Sequence, residues 1–92
     1  MESVNLKIGR NVYTITEKDL ILDNGSILQL ITKQAGSGWN SYYPPLSKKL
    51  TKELISKELL IRDEVSMKYE QTYPSYCKVY RFNIAKMLEL GY

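Results

Sequence analysis

The 92-residue sequence contains no histidine and only one cysteine, Cys77. Histidine is the most common general base near neutral pH and the most common zinc ligand. A lone cysteine can form neither an internal disulfide nor a thiolate metal site, and as a nucleophile it would need an activating base. We therefore expect no metal, no cofactor and no enzymatic activity, and we predict that Cys77 is a small buried residue in a strand.

The carboxylates do not form a catalytic pair either. Asp63 and Glu64 are adjacent in a predicted strand, where neighbouring side chains point to opposite faces. Asp19 and Asp23 share one side of a predicted strand, but four residues of strand separate them by about 13 Å. Neither arrangement brings two carboxylates together for acid–base chemistry.

Long apolar runs are also missing. No segment approaches the length of a membrane-spanning helix, and the first residues lack the apolar core of a signal peptide. An unpaired cysteine suits a reducing compartment. We therefore expect a cytoplasmic protein with no membrane partner.

The first fifteen residues predict a β-hairpin. Residues 4–8 and 11–15 alternate apolar and polar side chains around Gly9-Arg10, a pair suited to a type II′ turn. Pairing the two residues that flank this turn fixes the register. The register places four apolar side chains on one face, those of Val4, Leu6, Tyr13 and Ile15.

Asn24-Gly25 between two apolar runs predicts a second hairpin, because this pair favours a two-residue type I′ turn. Asp23 would then lie opposite Ser26, and both faces of the hairpin would be apolar, so we expect it to lie centrally beneath a helix. The alternative is a helix from 16 to about 22, capped by Thr16. The predicted cross-strand pairs are Ile21 with Leu28 on one face and Leu22 with Ile27 on the other.

The clearest helical signal runs from Ser47 to Lys57. Pro44 and Pro45 cannot continue a preceding strand, and Ser47 can cap the first free backbone N–H groups. Leucines at 46, 50 and 54 fall within about 80° of one another, which predicts one narrow buried stripe. A strand is expected to begin near Leu59.

After this helix we predict two strands, Leu59–Met67 and Tyr76–Asn83, joined by a polar tip at 68–75. Asn83 can cap a last short helix at 84–90. The expected core residues here are Val65, Tyr80 and Phe82 in the strands and Ile84, Met87 and Leu88 in the helix.

These signals and a composition of 43% hydrophobic and 25% charged residues predict a globular protein. We expect one small α+β domain spanning residues 1–92. Antiparallel β-hairpins would pack with one central helix and a short C-terminal helix.

The net charge of +3 lies entirely in residues 48–92, which hold nine basic and six acidic side chains against four of each in residues 1–47. Lys48, Lys49 and Lys52 lie opposite the leucine stripe. They form either an ordinary solvated face or a surface that binds acids or phosphates. Lysine outnumbers arginine ten to three, and arginine makes the bidentate contact to guanine, so the composition disfavours sequence-specific base reading.

An aromatic segment precedes the helix. Residues 33–43 are predicted to form a loop whose glycines lack the Gly-Lys-Ser/Thr sequence of a phosphate-binding loop. Trp39, Tyr42 and Tyr43 would either pack back onto the edge of the core or serve as aromatic anchors in a partner's pocket. Tyr73 lies in the later polar tip.

The order helix, strand, tip, strand from Ser47 onward resembles the second half of a winged-helix domain. That resemblance implies DNA binding, with Ser47–Lys57 as recognition helix, Lys68–Ser75 as wing, the lysines at phosphates and Thr51 and Ser56 near base edges. A winged helix also needs two upstream helices, where this chain has a hairpin signal.

The whole chain is similar to small proteins of phages and mobile elements of low-GC Gram-positive bacteria. The similarity is carried by the strand–turn–strand at 4–16, the segment at 19–25 and Leu46–Leu50. It implies a protein that occupies a host surface, as anti-CRISPR and other counter-defence inhibitors do. We expect a binding protein with a protein partner; nucleic acid is the alternative, and a homo-oligomer is the third interpretation. The predicted partner-binding residues are Trp39, Tyr42, Tyr43, Lys48, Lys49, Lys52, Lys68 and Tyr73.

Overall fold

The structure, a computed structural model, describes residues 2–23, 25, 27–31, 44–69 and 78–92. Within these residues, a two-stranded and a four-stranded antiparallel sheet combine with three helices. The predicted α+β class is confirmed. The elements are β1 (Val4–Ile8), β2 (Asn11–Ile15), β3 (Leu20–Asp23), β4 (Leu28–Ile31), α1 (Lys48–Ser56), β5 (Leu60–Ile61), α2 (Glu64–Tyr69), β6 (Lys78–Phe82) and α3 (Ile84–Glu89).

The β1–β2 hairpin has the predicted register, with Ile8 opposite Asn11. Gly9 has a φ of +64°, and Glu58 is the one non-glycine residue with positive φ in the described chain. Arg10 therefore has negative φ, which agrees with a type II′ turn. The predicted apolar face is buried, and Val12 on the other face is 64% exposed.

The second hairpin forms as predicted, but its register is wrong by two residues. Ile21 pairs with Leu30, and Asp23 pairs with Leu28. Four residues therefore connect the strands instead of two, and the Asp23 carboxylate accepts a hydrogen bond from the Gly25 N–H at 2.9 Å. Since a shift of two preserves which face each side chain occupies, the predicted faces remain correct. No helix forms at 16–22.

The four-stranded sheet has the order β4-β3-β6-β5 and is apolar on both faces. On one face Ile21, Leu28 and Leu30 join the main core. On the other face Leu20 and Leu22 cluster with Val79 of β6. The first face carries α1, because Leu46 and Leu54 belong to the same main core as Ile21.

Helix α1 ends in a Schellman motif. The Leu59 N–H donates to the Leu54 carbonyl at 3.0 Å, and the Glu58 N–H donates to the Ile55 carbonyl at 3.1 Å. Glu58 takes the left-handed position of this motif, with a φ of +56°. Leu54 and Leu59 are both fully buried, so the motif fixes the direction in which the chain leaves α1 for β5.

The strand predicted at Leu59–Met67 is wrong after Ile61, because residues 64–69 form α2. Asp63 and Ser66 cap this helix reciprocally: the Ser66 N–H donates to Asp63 Oδ1 at 3.0 Å, and the Asp63 N–H donates to Ser66 Oγ at 2.9 Å. These local bonds favour a helical turn over an extended strand. Val65 is 55% exposed instead of buried.

Helix α3 begins at the predicted cap, where Asn83 Oδ1 accepts from the Lys86 N–H at 3.2 Å. Ile84 and Met87 are buried as predicted, but Leu88 is 39% exposed. Phe82 is also buried, and Tyr80 packs against the core while partly exposed. Cys77 lies outside the described residues.

The strained position of Glu58 yields a stability prediction. A left-handed residue with a Cβ costs about 1–2 kcal/mol relative to glycine, partly offset by the greater freedom of glycine in the unfolded chain. We expect Glu58→Gly to raise the free energy of unfolding by about 0.5–1 kcal/mol, measured by urea denaturation.

Gly91 supplies the matched control, because it closes α3 with a φ of +90° and an added Cβ would meet nothing within 4 Å. Gly91→Ala should therefore destabilise the protein through backbone strain alone, by about 1 kcal/mol. A Glu58→Gly variant that is no more stable than the parent would contradict the argument.

The Asp63–Arg81 ion pair predicts a pH dependence. Arg81 donates to Asp63 Oδ2 through Nε, at 2.9 Å, and through Nη2. These bonds, with the Ser66 N–H, lower the pKa of Asp63 from 3.8 to about 2. Because the folded-state pKa is the lower one, the carboxylate stabilises the fold above about pH 4, and this contribution is lost as the pH falls towards 2.

We expect Asp63→Asn to lower the free energy of unfolding near neutral pH and to match the parent protein near pH 2. Urea titrations across this range measure both. Arg81→Lys keeps the charge without the two-pronged geometry and should lie between the two. A difference between Asp63→Asn and the parent that stays constant down to about pH 2 would show that the pair does not titrate as stated.

Candidate partner-binding surface on helix α1

Three lysines form an exposed basic surface at the start of α1. Lys48, Lys49 and Lys52, here called the lysine surface, are all exposed. None of them makes an ion pair within the described residues. The lysines are exposed while Leu54 of the leucine stripe is buried, so the predicted orientation relative to that stripe is confirmed.

The start of α1 is held in place by the edge of the sheet. The Leu30 N–H donates to the Pro44 carbonyl at 2.9 Å, and the Leu46 N–H donates to the Leu28 carbonyl at 2.8 Å. Ser47 Oγ then accepts from the Leu50 N–H at 3.0 Å as the helix cap. Because these bonds fix the chain just before and just after the start of α1, the lysine surface has a defined position relative to β4.

Two residues of the lysine surface, Lys48 and Lys49, lie at the electrostatically unfavourable end of the helix. The N-terminus of an α-helix carries a partial positive charge, which favours acidic side chains and disfavours cations there. The first turn of α1 contains no acidic residue, and Lys48 and Lys49 are its first two residues. The side chains and the backbone dipoles therefore add to one positive potential, which attracts anionic groups.

At the C-terminal end of α1, the positive charge of Lys57 is balanced by a carboxylate of the same helix. Lys57 Nζ donates to Glu53 Oε1 at 3.2 Å and to Tyr92 Oη at 3.3 Å, and it lies 5.3 Å from the centre of the Tyr92 ring. Hydrogen bonds to Tyr92 and Glu53 raise the pKa of Lys57, and the bond from Lys57 lowers the pKa of Glu53. The cation at this end is therefore paired, whereas Lys48, Lys49 and Lys52 make no ion pair in the described part of the chain.

The structure does not group all the predicted binding residues. Lys68 is exposed on α2, which packs against β6 where Arg81 reaches Asp63. Arg81 points to the face of β6 opposite Phe82 and the α1 side of the sheet. Lys68 is thus separate from the lysine surface. The other predicted residues, Trp39, Tyr42, Tyr43 and Tyr73, lie outside the described residues.

Thr51 does not have the position expected of a residue that contacts DNA bases. It is only 7% exposed, and its hydroxyl has no hydrogen-bond partner among the residues that the structure describes. The buried side of α1 includes Thr51 as well as Leu54, while Leu50 is only partly buried. The leucine spacing alone predicted too narrow a stripe, and the angular proximity of Thr51 to Leu54 was the signal that would have corrected it. Ser56 is exposed, and its hydroxyl donates to the Glu53 carbonyl at 3.3 Å.

Elsewhere in the described residues, an open cleft of about 410 Å³ lies between the start of α3 and the sheet. Its charged lining residues are Glu2, Glu17 and Arg81, and the guanidinium of Arg81 is bonded to Asp63. The described ranges contain no cluster of three or more acidic or cysteine side chains placed to hold a metal ion. None of the helices in these ranges has the length and apolar character needed to span a bilayer.

Comparisons with protein families, with curated proteins and with solved structures give no match to this chain.

The placement of the lysines predicts a variant that is more stable than the parent. Lys48→Glu would put an anion at the positive end of α1, four residues before Lys52 and therefore at a favourable i,i+4 spacing for an ion pair. We expect a gain of about 0.5–1.5 kcal/mol in the free energy of unfolding, measured by urea denaturation and reduced by high salt.

Lys49→Glu is the internal control, because its gain at the helix end is offset by repulsion from Glu53 four residues later. Its expected gain is smaller. Lys7→Glu, at an exposed position on β1, should change stability by less than about 0.5 kcal/mol. If Lys48→Glu loses stability, the lysine is a structural requirement and not a cost retained for binding.

Proposed function

We propose that this protein is a non-enzymatic binding protein that occupies an acidic surface of a macromolecular partner, most directly a protein. The lysine surface of α1 supplies the basic contact, and the preceding aromatic segment supplies anchors. We place it with phage-type proteins of the bacterial cytoplasm that inhibit a host defence system such as a CRISPR nuclease.

One observation carries the basic half of this proposal: Lys48 and Lys49 lie in the first turn of α1, where the helix dipole disfavours cations, and Lys52 is exposed one turn later. A purely solvated helix face gains stability when such positions are acidic. Cations at these positions are consistent with selection for binding an anionic group. Lys57 and Lys86, by contrast, have carboxylates within 4.0 Å.

The aromatic half rests on composition and chain order. Trp39, Tyr42 and Tyr43 come just before Pro44, which is bonded to β4 and leads directly into α1. Tryptophan and tyrosine ringed by charge are the residue types that dominate small protein interfaces.

A protein partner is favoured over DNA by three features. The charged groups of the lysine surface are all lysines. Lysine suits point contacts to anions, whereas arginine makes the bidentate contacts used in base reading. The described residues before α1 form strands, where a winged helix has two helices. Residues 64–69 form a helix where the first strand of the wing would continue.

The test compares three variants by affinity capture from a nuclease-treated lysate of a low-GC Gram-positive bacterium. We expect Lys48→Glu/Lys52→Glu and Trp39→Ala each to lose the protein that the parent recovers. Lys7→Glu/Lys18→Glu changes the net charge equally, at exposed positions on β1 and in the turn after β2, and should retain it. Light scattering at matched concentration checks that each bait is folded and soluble.

A second arm uses a fluorescent DNA duplex of about 25 base pairs, with anisotropy measured from about 50 to 200 mM salt. We expect weak binding. The affinity should fall by a similar factor in Lys48→Glu/Lys52→Glu and in Lys7→Glu/Lys18→Glu. Tight, steeply salt-dependent binding that disappears in Lys48→Glu/Lys52→Glu and survives Trp39→Ala would replace the proposal with DNA binding. Retention of the captured protein by all three variants would also overturn it.

A further inference from the structure

The β1–β2 hairpin is a separate two-stranded sheet, so the outer edge of β1 has no neighbouring strand in the described residues. In a hairpin with a two-residue turn, the flanking pair Ile8–Asn11 is hydrogen-bonded, and bonded pairs then alternate along the ladder. The backbone N–H and C=O groups of Asn5 and Lys7 therefore point outward, away from β2. They provide two donors and two acceptors in strand geometry.

This edge is accessible and regular. All residues from 2 to 10 whose side chains do not enter the core are exposed, including Asn5 and Lys7. No proline interrupts the stretch, and the ladder to β2 is continuous without a bulge. The Asn5 side chain is held on its own sheet, where Oδ1 accepts from the Thr14 hydroxyl at 3.1 Å. None of the usual devices that block an edge strand is present except the single charge of Lys7.

We propose that β1 pairs antiparallel with β1 of a second copy of this chain, around a two-fold axis at Leu6. This register places Asn5 opposite Lys7 of the second copy and joins their outward backbone groups in hydrogen-bonded pairs. The two hairpins then form one four-stranded sheet. Because the interface is isologous, each contact occurs twice.

The charges along β1 favour pairing with a second copy of this chain, and they favour the register about Leu6. Pairing about Leu6 places Glu2 opposite Arg10 of the second copy, and both residues are exposed. Pairing about Lys7 would put two lysines directly opposite each other, which is unfavourable. The equivalent pairing of β2 about Tyr13 places no opposite charges across from each other. The sequence of this edge therefore supports the pairing of β1 with β1 about Leu6.

The pairing of two five-residue strands is a small interface, so the expected association is weak and depends on concentration. Sedimentation equilibrium between about 0.01 and 1 mM covers the range of such interfaces. We expect the apparent mass to rise from one chain to two across this range. A mass of one chain throughout would overturn the proposal.

Asn5→Pro tests the edge itself, because it removes an outward N–H without removing a backbone bond to β2; it also loses the exposed side-chain bond to Thr14. We expect it to weaken association at least about tenfold. Val12→Pro removes the equivalent outward N–H from β2 and should leave association unchanged. Circular dichroism verifies that both variants are folded. Association that persists in folded Asn5→Pro would show that another surface is responsible.

A charge exchange keeps the proposal testable if the proline variants do not fold. Glu2→Lys and Arg10→Glu should each weaken association about 2–5-fold, as expected for an exposed pair. Combining them restores opposite charges across the two-fold axis and should restore the parent association. A double variant as weak as the single variants would exclude the register about Leu6.

Discussion

Strand β3 is covered on both faces and paired along both edges, and the arrangement of the other elements follows from it. Leu20 and Leu22 pack on one side, and Ile21, with no exposed surface, packs on the other. A strand buried on both faces must have neighbours on both edges, because unpaired backbone groups are costly away from water. β4 and β6 supply them. β4 in turn positions the start of α1, and β6 leads directly into α3.

The charged groups fall into two kinds. Asp63 with Arg81 and Glu53 with Lys57 hold one element against another or close a helical turn, and their pKa values are displaced because each partner is already present. Lys48, Lys49 and Lys52 make no ion pair within the described residues, although Lys49 lowers the pKa of Glu53 through its charge. Their exposed ammonium groups are therefore accessible to anions in solution.

The sequence predicted the fold well wherever one local signal was dominant. The register of the first hairpin, the start of α1 and the cap of α3 all follow from particular residues: Gly9, Ser47 and Asn83. The second hairpin shows the limit. Asn24-Gly25 correctly located a turn, but the Asp23 side chain bonds to the Gly25 N–H and the turn widens, so only the faces were predicted correctly.

Two further differences have separate origins, local hydrogen bonding in one case and tertiary packing in the other. Asp63 and Ser66 bond to each other and start a helix where alternation favoured a strand. On α1, packing against the sheet buries Thr51 beside Leu54. A helical projection that considers only the leucines does not predict this burial. For the candidate site, helical geometry correctly predicts that the lysines of α1 are exposed. Their separation from Lys68 depends on α2, which forms where the sequence pattern predicted a strand.

The bridge between Gln29 and Pro45 has a consequence for aggregation. Pro44 and Leu46 use their inward groups to bond β4, so the backbone of Pro45 faces away from the sheet. Proline has no N–H, and the position therefore offers a carbonyl but no donor to an incoming strand. On this side the four-stranded sheet ends beside a residue that offers no donor, which disfavours fibril growth from this edge.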